Sequence, residues 1–186
     1  GVTYPLRAPY FVIATQNPVE TQGTFPLPEA QLDRFLFRSS VGYPAAESAV
    51  EILSRFSTGD PFESLSAVCG AEEIIGAQKA AQSVYVHPDL LAYMVRLTEQ
   101  TRVHAGVSLG VSPRGSLALL RACKARAAQC GRAFVTPEDI KYLAPYTLAH
   151  RLILRDDYHM DEKKPAEIIR EILSALPVPS ENWGGD

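Results

Sequence analysis

The hydrophobic pattern of this chain changes period once, and that change limits the folds open to it. For about the first forty residues short apolar runs alternate with one helical pattern; beyond them apolar residues recur at helical spacing almost to the end. Residues 1–6, 10–14 and 36–41 read as strands, the second a continuous apolar run, and residues 28–35 read as a helix between them. This is the pattern of a piece of a parallel α/β sheet. A helix follows over 45–56, then a Ser-, Gly- and Pro-rich stretch over 57–70 that has the composition of a linker. Further helices are expected over about 71–83, 87–102, 113–130, 137–150 and 165–176. The resulting division is an α/β segment over 1–56, a linker and connecting helix over 57–82, and an all-α bundle over 83–186, helix-dominated overall.

Two of these helices carry strong start signals. Ser112-Pro113 and Thr136-Pro137-Glu138-Asp139 each place a hydroxyl at the cap and proline at the first helical position, and the second adds an acid three residues after its cap. On the helix over 113–130, Leu119, Leu120, Cys123 and Ala127 should form the buried stripe, with Arg114 and Arg121 on the opposite face.

Charge and composition then exclude several classes of function. With 18 basic and 21 acidic residues the net charge is −3, so the basic footprint of a duplex-binding domain is missing and no nucleic-acid partner is expected. No apolar run reaches the eighteen or more residues of a membrane span, and no signal peptide opens the chain, so a cytoplasmic protein is expected. Cys69, Cys123 and Cys130 lack CxxC spacing, and the last two, seven apart on one helix, lie about 10 Å apart along its axis, too far to bridge. They read as small core residues in a reducing compartment.

Self-contained chemistry is hard to find. The chain has no G-x-x-x-x-G-K-[ST] loop, and its four histidines show no metal-ligand spacing. Residues 1–6 have no opening element before them, so a truncated domain is expected. Gly106-Val107-Ser108-Leu109-Gly110 matches the G-x-S-x-G nucleophile elbow in letters, but a polar helical stretch precedes it where the elbow needs an apolar strand, so a helix-to-helix loop is expected. The run Leu152-Ile153-Leu154-Arg155-Asp156-Asp157 is interrupted by its arginine and reads as a helix end and solvated loop.

The informative stretch is "FVIATQNPVETQGTFPLPEAQLDRFLF", residues 11–37. Its apolar start would deliver Asn17 to the carboxyl edge of a sheet, where ligands bind in open α/β folds; an Asn before a proline is also an ordinary turn former. On the following helix Leu32, Phe35 and Leu36 share one face while Arg34 lies about 200° from Leu32, pointing away from the core. An arginine there is either simply solvated or presented to a partner.

The run "ATQNPxExxGTxPLPEAQLDRF" closely resembles the segment joining sensor 1 to the arginine finger in MoxR-type AAA+ ATPases, and "SPRGSLALLRACKARAAQCGRAFVTPEDI" (112–140) is similar to the same family's sensor 2 helix and the capped helix after it. The similarity covers most of residues 1–155. It implies the second half of a P-loop AAA+ core followed by the helical lid, with residues 1–6 as the returning arm of a presensor hairpin. By the resemblance Asn17 is sensor 1, whose amide can orient the attacking water, and Arg34 is the finger, a fixed cationic fork that reaches a neighbouring subunit. Arg114 is sensor 2, at a helix start that favours anions.

The implied cofactors of the parent protein are ATP and Mg2+, with none expected on this chain because the P-loop and Walker B strand are absent from it. The implied partners are further copies of itself in a hexameric ring and a von Willebrand A domain protein, and the implied work is chaperone-like remodelling or metal insertion. A magnesium-chelatase-like or helicase-like AAA+ motor shares the LxDRF-like run and is the alternative within the class; a non-enzymatic helical interaction module is the alternative outside it.

Overall fold

The computed structural model describes residues 2–16, 27–155 and 164–179. The chain divides into two compact units, one made of Gly1–Phe11 with Ser39–Ala77, the other of Val12–Arg38 with Gln78–Asp186.

In the first unit a single long helix, α2 (Ala46–Thr58), covers the expected range and ends at Gly59. It has no buried residue, and Val50, Leu53 and Phe56 are all exposed. A short 3-10 turn over Pro61–Ser64 follows, capped by the Asp60 carboxylate, which accepts from the Phe62 N–H at 2.9 Å. The helix α3 (Ala71–Ser83) begins in this unit and leads into the second.

The strands expected over 1–6, 10–14 and 36–41 do not form ladders among the described residues. These segments are non-helical and unpaired, with Tyr10, Phe11, Val12 and Ile13 all largely exposed. A strand needs a ladder of its neighbour's N–H and C=O groups, and among the described residues no such ladder runs along these segments. The strand expectation is corrected here over the described residues: apolar runs give a segment the composition of a strand, but pairing is a tertiary property.

The second unit has a well-packed helical core built by α4 (Pro88–Val103), α5 (Pro113–Gln129), α6 (Pro137–Leu148) and α7 (Pro165–Ala175). Leu90, Tyr93, Leu97, Leu119, Ile140, Leu148, Ile168 and Ile169 are fully enclosed. Each of the leucines and isoleucines among them contributes about 1.5–3 kcal/mol relative to leaving it in water. All four helices start with proline at the first helical position, where its missing N–H costs nothing. On α5 the expected stripe is largely as read: Leu119, Cys123 and Ala127 are buried, joined by Gly115, Ala118 and Ala122, while Leu120 packs half-buried at the edge of the core. Helix α5 stops in a Schellman motif. Gly131 takes φ 69°, the Arg132 N–H reaches back to Ala127 O and the Gly131 N–H to Ala128 O, both at 2.9 Å.

Two short strands close this unit at one end. Residues Val107–Leu109 (β1) pair antiparallel with Ile153–Leu154 (β2), Val107 opposite Leu154 and Leu109 opposite Ile153. The expected loop at 106–110, and the helix end and solvated loop expected over 152–157, are thus corrected at 107–109 and 153–154, since each strand supplies hydrogen bonds the other needs, while Asp156 and Asp157 lie outside the described residues. Ser108 Oγ donates to the Ile153 carbonyl at 3.3 Å, so the nucleophile-elbow letters describe a strand hydroxyl tied to its neighbour. Another correction concerns the cysteines: Cys123 is buried, but Cys69 and Cys130 are exposed. Burial, with the Asp139 carboxylate nearby and partly opposed by Arg126, pushes the Cys123 thiol up to about 12, so it remains a neutral core residue.

Candidate functional site

The helix expected over 28–35 is shorter than its pattern suggests. Helix α1 (Glu29–Leu32) makes one turn, then the chain bends through Asp33 and Arg34, with the Arg34 N–H on Gln31 O and the Phe35 N–H on Leu32 O, both at 3.1 Å. The reason lies outside the helix, on the segment that ends α6. Arg151, in a 3-10 turn over Ala149–Arg151, sends its guanidinium to this bend: Nη1 donates to both the carbonyl and the carboxylate of Asp33, and Nη2 donates to Phe35 O at 2.7 Å. Its Nε donates to Thr147 O at 2.7 Å. Carbonyls that would continue a helix are committed to an arginine whose side chain is 2% exposed.

Further contacts hold the bend. The ring Nε2 of His150 lies 3.1 Å from Phe35 O, and the Arg38 N–H donates to Tyr146 O at 3.0 Å. Gly115 makes room for the arrangement: a Cβ there would stand 2.3 Å from Val111 Cγ1 and 3.0 Å from Arg151 Cδ. Burial lowers the pKa of His150, helped by the charges of Arg151 and Arg38 and opposed by the Phe35 carbonyl. The imidazole is therefore neutral in the folded state, and the unfolded chain takes up more protons below its ordinary value of 6.5. Stability should accordingly fall as pH drops from about 6.5 towards the lower folded value. Replacing His150 by Gln should flatten urea-unfolding stability across pH 7 to 5, and a slope equal to that of the parent chain would contradict this assignment.

Asp33 is the hub of the cluster. Besides Arg151 it accepts from Ser112 Oγ, 3.2 and 3.3 Å from its two oxygens, and its Oδ2 lies 3.8 Å from Arg114 Nη1. The Ser112 hydroxyl therefore makes no cap hydrogen bond to α5, contrary to its reading as a cap, whereas Thr136 and Asp139 form the expected capping box on α6. Arg114 sits at the second position of α5, its side chain about half exposed (53%). The first turn of α5 carries no acidic residue.

Of the three residues singled out in sequence, Arg34 is exposed and its side chain makes no hydrogen bond or ion pair with the described residues, although its neighbour Asp33 is locked in place. Arg34 and Arg114 thus flank one carboxylate, the first by sequence and the second in space. Asn17 lies outside the described residues. Asp33, Gly115 and Arg151 were not singled out, and Ser112 was read only as a helix cap. The available signal was Arg151 itself, a lone charge within the apolar run Leu148 to Leu154, which a folded chain must either expose or pair. Among the described residues no group of three or more His, Cys, Asp or Glu could hold a metal ion, and no helix is long and apolar enough to cross a membrane.

Residues 1–37 match the family model of the "ATPase family associated with various cellular activities (AAA)", and residues 99–172 match that of the "AAA lid domain". The two matches contain both sides of the cluster, Asp33 and Arg34 in the first and Ser112, Arg114 and Arg151 in the second. The chain is 37% identical to Chaperone MoxR1 of Mycobacterium tuberculosis over 98% of its own length and 50% of the relative's. It is 33% identical to Protein MoxR of Methylorubrum extorquens, covering 90% and 55%. To the Bacillus subtilis protein YeaC it is 46% identical, covering 96% and 56%. A solved structure from Cytophaga hutchinsonii superposes with a TM-score of 0.88 at 33% identity, over 95% of this chain and 56% of that one. The chain belongs to the MoxR-type AAA+ ATPases. It spans about half the length of the curated relatives it matches.

Proposed function

We propose that the chain supplies the catalytic arginines and lid of an ATP-hydrolysing motor, with residues 1–56 as the second half of the nucleotide-binding core, 57–82 as a connector and 83–186 as the lid. The observation that carries this reading is the asymmetry at the Asp33-Arg34 pair. A buried arginine bonds both the backbone carbonyl and the side chain of Asp33, and the adjacent Arg34 is exposed with no hydrogen bond or ion pair to its cation among the described residues. A charge that is free while its support is rigid suits a group that acts on another molecule.

Arg34 is the finger that meets the nucleotide of a neighbouring subunit in a ring, and Asn17 is the sensor that acts within its own. Arg114 fits a phosphate. It is half exposed, its only ion-pair partner among the described residues is 3.8 Å away, and it stands in the first turn of α5, whose positive end favours anions. ATP with Mg2+ supplies the phosphoryl group and its counter-charge; the chain's arginines orient and neutralise it. The work done with that energy is remodelling of a client protein or insertion of a metal or cofactor, and a von Willebrand A domain protein is the partner to test first. The name Chaperone MoxR1 of the mycobacterial relative supports the first of these.

Isothermal titration with ATP and Mg2+ tests the division of parts. The full-length protein should bind at micromolar concentration, and the 186-residue chain should not, because it carries no phosphate-cradling loop. Micromolar binding by the chain alone, or none by the full-length protein, would overturn the reading.

A further inference from the structure

We propose that Asp33 is a positioning residue that links the nucleotide-facing Arg114 of one subunit to the finger Arg34 that the same subunit offers its neighbour. The inference rests on the roles proposed above for those two arginines. Its basis is that one carboxylate has two very unequal cationic partners. Arg151 is 2% exposed and bonds both the carboxylate and the carbonyl of Asp33, so that contact anchors α1 to the end of α6. Arg114 is 53% exposed and 3.8 Å away, a distance and a setting in which an ion pair is weak and easily exchanged.

Asp33 therefore competes with an incoming phosphate for Arg114, yet it does not depend on Arg114 to stay in place. When Arg114 leaves for a phosphate, Ser112 Oγ and Arg151 remain on the carboxylate. The bend keeps its geometry while the charge balance beside Arg34 changes, since one cation has left. A subunit that holds nucleotide thus presents Arg34 in a different electrostatic setting from one that does not. The two functions of the side chain are separable, which gives them opposite signatures.

The test is Asp33→Asn in the full-length protein, an isosteric change that still accepts from Arg151 and Ser112. Binding of a non-hydrolysable ATP analogue with Mg2+ should tighten by up to about fivefold, because Arg114 no longer has a competing anion. Turnover should fall at least about tenfold, because a neutral amide holds Arg151 less firmly than the carboxylate does and the bend that carries Arg34 is less rigidly placed. Mixing these subunits with ones disabled in the phosphate-binding loop should recover turnover with the lowered KM, since the recovered sites pair a variant nucleotide side with an intact finger. In an Arg114→Ala background, Asp33→Asn should no longer tighten analogue binding.

A purely architectural Asp33 would lower affinity and turnover together, and that result, or tightening that persists without Arg114, overturns the proposal. Should Asp33→Asn not accumulate as folded protein, Ser112→Ala reads the same competition: with one donor removed the carboxylate holds Arg114 harder, and analogue binding should weaken about twofold. Unchanged or tighter binding there also overturns it. Failure of the underlying reading is separately visible, because Arg114→Ala would then leave analogue binding untouched and Arg34→Ala would leave turnover untouched.

Discussion

In the full-length protein, Arg34→Ala is expected to cut ATP turnover by about 10³–10⁵, roughly 4–7 kcal/mol of transition-state stabilisation, with nucleotide binding nearly intact. Arg34→Lys should recover little, since an ammonium cannot reproduce the planar fork of a guanidinium. Fold damage is not the expected cause of the loss, because the Arg34 side chain is exposed and bonds none of the described residues.

Subunit mixing separates the two sides of the proposed site. Arg34→Ala subunits combined with subunits disabled in the phosphate-binding loop should regain activity, because some interfaces then join an intact loop to an intact finger. Asn17→Ala subunits combined with the same partner should regain none, both lesions being on the nucleotide-holding side. Equal behaviour of the two mixtures would end the assignment of Arg34 to the neighbour's site.

Asp139→Ala should destabilise the helical unit by about 2–4 kcal/mol, read as a lowered urea midpoint of helical circular dichroism. Its carboxylate is 2% exposed and accepts from Arg132 Nη2 at 2.7 Å, Arg132 Nη1 at 2.9 Å, Arg126 Nε at 3.1 Å and the Thr136 N–H at 2.9 Å. Removing it strips two arginines of their counter-ion and α6 of its cap. The arginines are partly exposed, 27% and 36%, and can turn to water, which keeps the cost below that of stranding a fully enclosed charge.

Burial pushes the Asp139 carboxyl up, but the hydrogen bonds from Arg132 and Thr136 and the Arg132 charge outweigh it and leave the pKa below the ordinary carboxylate value. Its contribution is therefore present above about pH 4 and is lost as pH falls through the lower folded value. The Ala variant should lack that part of the acid transition. An acid transition identical to that of the parent chain would show that the charge is not what Asp139 contributes.

Helix-forming pattern and caps were readable one segment at a time. Helices α4, α5, α6 and α7 begin within a residue of where Pro and polar caps mark them, because a helix satisfies its backbone from within and the signals that start it are local. Strands were less legible. The run at 10–14 has the composition of a buried strand but has no partner among the described residues, whereas Val107–Leu109 and Ile153–Leu154, read as loops, pair with each other. Composition marks a segment as able to pair; only the arrival of a second segment makes it a strand.

The same distinction runs through the candidate site. Sequence by itself determined that Arg114 would open a helix on its polar side, which follows from 100° per residue on a local scaffold; it also turned Arg34 away from the apolar residues of a helix that in fact ends at Leu32, and Arg34 is exposed in the bend beyond that end. Only the tertiary structure decided what surrounds them. Ser112 reads as a cap and Asp33 carries no assignment of its own, until the fold sets Ser112 on the Asp33 carboxylate and Arg151, over a hundred positions beyond Asp33, brings its guanidinium to the same group. A buried arginine must find acceptors wherever the fold offers them, and here it found the bend beside Arg34, a pairing of distant residues that no local period encodes.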